Sequence, residues 1–375
     1  MDAFNIRSLS GLKLRTLKLA VVVIVLICTI LLLRPFTETA QTAILCLKQS
    51  HPDLEPEAVP KAVPVLKNNT TVLANPQLVQ MTVDWRKFAY VQYATVPDYL
   101  CNSVLIFASL NETDSKADRV LLYPQTWSAD VSRSNSVETR LLAIARDEYR
   151  VILKPIKVQR KNSADSTWAE GYTKLLAWNQ TEYERVLHLD SDANLMQSMD
   201  ELFLLPPSPM AAARAYWLDA KDRVRSSQLM LIQPSEFEFN RVMKAIDTAG
   251  KNEYDMEVIN TLYGDSCIVL PHRPYNLLSG EFKSKPSNHA KYLGSSEEVW
   301  DGEKIMNEAK YLHFSDWPVP KPWIRVQDSI LAENQPKCWE KEGSSDKDCS
   351  DQKIWRNLYS DFARRRKDIC GLGYQ

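Results

Sequence analysis

Asp190 and Asp192 stand one residue apart around Ser191, a spacing that lets two carboxylates reach one hard divalent cation. Mg2+ and Mn2+ prefer oxygen ligands, and Mn2+ also accepts imidazole. A nucleoside diphosphate would supply further oxygens, and the cation would neutralise charge developing on a departing phosphate. Short acidic triplets also occur in turns and caps, where Asp makes local hydrogen bonds. Context favours the metal reading: a strand-like run from Arg185 to Leu189 leads straight into Asp190, and apolar sequence resumes from Leu195 to Phe203. A second segment, YLHFSDWPVPKPW over 311–323, carries His313 and Lys321. A lysine beside a diphosphate leaving group makes chemical sense. Trp317 and Trp323 are able to stack on sugar faces, although core packing is the default use of an indole.

The elements that must position these residues read as α/β alternation from about Val83. Strands are expected at Phe88–Tyr93, Arg119–Tyr123, Val151–Leu153 and Arg185–Leu189. An amphipathic helix is expected over Tyr99–Leu110, another over Val137–Glu148, and Lys174–Trp178 is placed on a helix. Such alternation implies parallel pairing with right-handed crossovers. In sheets of this kind ligands bind off the carboxyl ends of the strands, where the acidic motif falls. Beyond Leu202 the pattern is less regular, with short strands at Met230–Ile232 and Cys267–Leu270 and helices at Phe237–Ala249 and Asp255–Tyr263.

At these motifs the chain resembles glycosyltransferase family 8, the glycogenin-like group, over roughly residues 85–325. The longest matching stretch is YTKLLAWNQTEYERVLHLDSDANLMQSMDELF, residues 172–203, against a family pattern of T-K-L, W, T-x-Y-x-R-V, L-D-A-D and D-E-L-F. The resemblance implies a GT-A nucleotide-sugar-binding fold, a mostly parallel twisted sheet flanked by helices. It also implies Mn2+-dependent transfer of a sugar from a nucleotide diphosphate with retention of configuration. Position by position, Asp190 and Asp192 match metal ligands, with Ser191 between them, and His313 matches the third ligand in the family's H-F-x-G-x-x-K-P-W segment. Lys321 would contact the diphosphate and Lys174 would sit near the donor. Thr95 and Tyr99 match positions that hold uracil and ribose, and Asp255 matches a residue facing the donor sugar.

The chain departs from that pattern at particular positions. Val96 stands for Asn, Asp316 for Gly, Met256 for Gln, and Arg225-Ser-Ser-Gln228 for F-N-S-G, while two extra residues separate His313 from Lys321. Met256 offers no oxygen nucleophile, which favours front-side attack over double displacement. These departures resemble the fungal Golgi branch of N-acetylglucosaminyltransferases. That branch implies UDP-N-acetylglucosamine as donor and a mannose-rich glycan as acceptor, with UDP-glucose and UDP-galactose as alternatives. A silent sugar-nucleotide-binding member is the competing reading, and self-glucosylation on Tyr a third.

The compartment is read from the N-terminus. Residues 1–18 carry Arg7, Lys13, Arg15 and Lys18; residues 19–33 form an apolar anchor; residues 34–80, broken by proline, form a luminal stem. Basic residues before the span place the catalytic body, 81–335, in the lumen, and the shortness of the span points to the Golgi or ER, with a signal peptide cleaved near Ala40–Ala43 as the alternative. Sequons at Asn68, Asn69, Asn111 and Asn179 agree with a lumen. Residues 336–375 are expected to be a Cys-containing tail, stapled if Cys338 bonds Cys349, with Arg364–Lys367 on a solvated face. A net charge of −1 gives no basic field for nucleic acid, and with only 10 glycines there is neither a GxGxxG nor a Walker loop.

Overall fold

The structure is a computed structural model that describes residues 82–160, 170–340 and 346–374. The expected anchor, stem and first two sequons lie outside the described residues. Among the described residues no helix is long and apolar enough to cross a membrane.

The first strands form where sequence periodicity places them: β1 (Phe88–Tyr93), β2 (Asp118–Pro124), β3 (Ile152–Ile156) and β4 (Arg185–Leu189). They are joined by α1 (Pro97–Glu112), which starts with Pro at its first position, and α2 (Val137–Tyr149), capped by the Ser136 hydroxyl on Thr139 N. Later come β5 (Ala193–Leu195), β6 (Met210–Arg214), β7 (Arg225–Ile232), α3 (Glu236–Thr248), α4 (Asp255–Tyr263), β8 (Ile268–Leu270), β9 (Leu277–Leu278), β10 (Tyr311–His313) and α5 (Ser350–Arg365). Seven strands form one sheet in the order β3-β2-β1-β4-β7-β6-β8, while β5, β10 and β9 form a small second sheet.

Parallel pairing holds through β3-β2-β1-β4 and again for β6-β8. It fails at β7, which runs antiparallel to both β4 and β6. Alternation stops after β4, so no crossover helix obliges β7 to run the same way.

Side chains alternate across the sheet. Leu187, Leu189, Leu229 and Leu231 face the core shared with α1 and α5. Val186, Met230 and Ile232 face the core under α3, α4 and the short 3-10 helix Gly171–Asn179. Lys174 lies on that 3-10 helix.

α1 is not the amphipathic helix expected. Every residue from Leu100 to Leu110 is buried, because a second layer covers its outer side. That cover is the C-terminal segment. Trp355, Leu358 and Phe362 on α5 repeat at helical spacing and are buried beside Phe314 and Trp323. A disulfide joins Cys101 on α1 to Cys370, and Cys338 does bond Cys349. Arg366 is not on a solvated face: it is 1 % exposed, donating to Asp98 and Asn102 and lying over the Trp323 ring. Asp98 supplies the charge that makes burial of this guanidinium tolerable. Asn111 and Asn179 are exposed, as a glycosylation site requires.

Candidate functional site

The carboxyl ends of β1 and β4 lie side by side, and the site is assembled there. Asp190 follows β4 directly, its N–H donating to the Gln228 carbonyl at 2.8 Å while its own carbonyl accepts the Tyr311 hydroxyl at 2.9 Å. Three residues on, β5 begins and pairs antiparallel with β10 in a register that sets His313 opposite Ala193. Phe314 N then donates to the Asp192 carbonyl at 3.0 Å. Backbone pairing therefore carries His313 to Asp192 across a sequence separation of 121, counted as 313 − 192.

Ligand atoms of Asp190, Asp192 and His313 all lie within 4.8 Å of one another. Lysines neutralise the carboxylates. Lys174 Nζ sits 2.7 Å from Asp190 Oδ1 and 3.0 Å from Asp255 Oδ2. Lys321 Nζ sits 2.7 Å from Asp192 Oδ2, and His313 Nε2 is 3.2 Å from Asp192 Oδ1. Burial pushes the Asp192 carboxyl towards its neutral form, but His313 and Lys321 outweigh it and hold it well below the usual carboxylate range. Burial likewise opposes the Lys174 ammonium, yet Asp190 and Asp255 keep it charged well beyond neutral pH. Ser191 is buried between the acids.

Of the residues singled out from sequence, Lys174, Asp190, Asp192, Asp255, His313 and Lys321 are thus brought into one charged cluster. Tyr99 shares its field: burial first, then Asp192 and Asp190, raise its phenol. Thr95 lies half-buried just beyond β1, on the same carboxyl-end rim. Trp323 is buried, edge-on to Tyr99 at 5.5 Å, so its role is packing. Trp317 is 90 % exposed.

Two participants went unread in the sequence, and a third was noted there only as a departure from the family pattern. Tyr93 ends β1 within the field of Lys174, Asp190, Asp255 and Asp192, and burial with those carboxylates raises its phenol. His188, fully buried under Tyr93, points Nε2 at Asp190 Oδ1 from 3.4 Å, and burial lowers its pKa so that it stays neutral. Alternation along β4 is the signal for it, since His188 must share a face with Asp190.

The third is Asp316, where the family has glycine. Its buried carboxylate accepts from Trp355 Nε1 at 2.9 Å, from the Tyr359 hydroxyl at 2.9 Å and from Ser279 Oγ. Ser279 Oγ in turn accepts Ser315 N. The longer loop between His313 and Lys321 is therefore tied to α5 and to the segment after β9, and Lys321 still reaches Asp192.

The donor set fits a divalent cation of the Mg2+ or Mn2+ kind: two carboxylates, one imidazole and no thiolate, with both Asp192 oxygens meanwhile held by cationic or N–H partners. His313 Nδ1 is buried with no partner among the described residues, so pairing of β10 places the residue and the Nε2 contact with Asp192 orients its ring.

No family model matches the chain. It is 52% identical over 292 residues to glucose N-acetyltransferase 1 of Gibberella zeae, an overlap covering 77% of this chain and 63% of that relative. It is 43% identical over 302 residues to glucose N-acetyltransferase 1 of Aspergillus fumigatus, covering 77% of this chain and 78% of the relative. Among solved structures, the WbbM bifunctional glycosyltransferase overlays with a TM-score of 0.48 at 14% identity, covering 76% of this chain and 50% of the other. The chain belongs to the glucose N-acetyltransferase 1 family.

Proposed function

We propose that the chain is a metal-dependent glycosyltransferase of GT-A type that moves N-acetylglucosamine from a UDP-sugar to a mannose-rich glycan. The observation that carries this reading is the cluster of Asp190, Asp192 and His313 flanked by Lys174 and Lys321. Asp190, Asp192 and His313 would hold Mn2+, which when bound would offset charge on the departing diphosphate.

The chain's own residues do the remaining work. Thr95 and Tyr99 would hold uracil and ribose. Lys321, now on Asp192, would turn to the diphosphate, and Lys174 would keep Asp190 ionised and hold Asp255 in place beside the donor sugar. Half-buried Met256, next to Asp255, supplies no oxygen nucleophile. The acceptor oxygen would therefore bond to the anomeric carbon on the face from which the phosphate oxygen departs. Its proton would pass to that phosphate oxygen, and configuration would be retained.

A Golgi-luminal site is supported by the two disulfides and by exposed sequons at Asn111 and Asn179. The anchor at 19–33 would hold the protein on the membrane with its body in the lumen.

The test is release of UDP from a panel of UDP-sugars by the full-length protein, with Mn2+ or with EDTA. UDP-N-acetylglucosamine is expected to turn over with Mn2+, and EDTA to cut the rate roughly 100-fold or more. Equal rates in EDTA would end the metal assignment.

Trp317 adds an expectation on the acceptor side. Its neighbours Asp316 and Val319 are buried, and Val319 N donates to the Asp316 carbonyl, so the exposed indole stands on a fixed loop. Trp317→Ala should raise the acceptor KM about tenfold with a small change in kcat, as loss of one stacking surface predicts. An unchanged acceptor KM would assign Trp317 no part in binding.

A further inference from the structure

Gln228 stands where the resembling family has glycine, and its side chain enters the site from a direction nothing above uses. β4 and β7 pair with His188 opposite Met230 and Leu189 opposite Leu229. One step further sets Gln228 opposite Asp190, and the hydrogen bond from Asp190 N to the Gln228 carbonyl confirms that register. Directly opposed residues in an antiparallel pair share a face. Gln228 therefore projects on the side of Asp190, the side covered by the 3-10 helix bearing Lys174 and by α4 bearing Asp255.

The carboxamide oxygen is unpaired. Gln228 Oε1 is buried and has no hydrogen-bond partner among the described residues. An unsatisfied buried carbonyl costs about 1–3 kcal/mol, so such an orphan beside a binding site calls for a partner brought by the ligand. Leu229 and Ser227 point to the opposite face by alternation and cannot serve the same purpose.

We infer that Gln228 reads the substituent at C2 of the donor sugar and selects a 2-acetamido group; this rests on the donor-sugar reading given above. An acetamido group carries one N–H donor and one carbonyl acceptor. A primary carboxamide complements it in either orientation of the amide, with Oε1 accepting from its N–H or Nε2 donating to its carbonyl. A 2-hydroxyl can donate to Oε1 in place of the N–H but carries no carbonyl, so it leaves Nε2 without the second hydrogen bond that an acetamido group completes. A site that hydrogen-bonds a substrate group discriminates against the analogue lacking it.

The test uses the full-length protein with Mn2+ and measures Kd by titration calorimetry for UDP-N-acetylglucosamine, UDP-glucose and UDP. The wild type should prefer the acetamido sugar, and Gln228→Ala should reduce that preference at least about tenfold. Gln228→Met keeps the length of the side chain without its amide and should lose preference to the same extent. A preference retained in both variants would overturn the inference, because it is a ratio within one protein and partial misfolding cancels from it. Wild-type protein that binds none of the three nucleotides would instead remove the underlying function, and this inference with it.

Discussion

Asp192→Ala is expected to abolish sugar transfer, by at least about 1,000-fold in kcat/KM, while the protein still folds. The loss follows from three contributions that the one carboxylate makes. It supplies an oxygen to the cluster of Asp190, Asp192 and His313, it orients His313 Nε2, and it holds Lys321 Nζ. Preorganised charge of this kind is usually the largest single source of rate enhancement, about 100- to 1,000-fold for one donor alone. Stability should suffer little, because Asp192 keeps its place through the Phe314 N to Asp192 carbonyl bond, which any residue makes. Lys321, with a side chain 30 % exposed, can recover solvation. Asp190→Ala should be as inactive and less stable, because it also strips Lys174 of a buried partner. Rates of UDP release, Mn2+ affinity and melting temperature measured on both variants decide the matter. Wild-type turnover by folded Asp192→Ala protein would sink the site as drawn.

Lys174→Met is expected to lower stability by about 3–5 kcal/mol, the usual effect of removing one member of a buried charge cluster. Lys174 is 6 % exposed and its ammonium lies between Asp190 and Asp255, itself 6 % exposed. Methionine fills the stem of the lysine well, so the damage comes from charge: two carboxylates are left facing each other beside Asp192 without their cation. A drop of roughly 10 °C in melting temperature is expected for a domain of this size. Mn2+ should restore part of it, since a divalent cation binding only the folded state stabilises by mass action and supplies the missing charge. Thermal melts with and without Mn2+ measure both effects. A variant as stable as wild type would mean the three side chains do not form the buried triad.

Much of the sheet is legible before any coordinates, for a local reason. β1, β2 and β4 are short apolar runs bounded by polar turns, and α2 carries its own Ser136 cap, so neighbours in sequence determine each of them. Asp190-Ser191-Asp192 inherits its place from β4, because a motif that directly follows a parallel strand must emerge at the carboxyl edge. α1 and the C-terminal segment are the opposite case. Nothing in the local pattern of α1 announces that Asn102 and Ser109 are buried, because their cover is supplied by residues near 365–370. Arg364-Arg-Arg-Lys367 reads as uniform charge. Arg366 alone is internal, through a partner at Asp98 far away in sequence. The amphipathic spacing of Trp355, Leu358 and Phe362 was present as a signal that this segment needed a surface to cover.

The same division runs through the site. Residue types and spacing by themselves determined that two carboxylates would share an edge and that His313 and Lys321 belonged to one loop. Tertiary structure alone decided that β5 pairs with β10 so that His313 faces Asp192, that β7 turns antiparallel and brings Gln228 opposite Asp190, and that Asp316 fastens the longer loop to α5. The reason is physical: strand pairing partners and buried hydrogen-bond acceptors are chosen by contacts between segments distant in the chain. A local pattern fixes which way a side chain points but not what it meets.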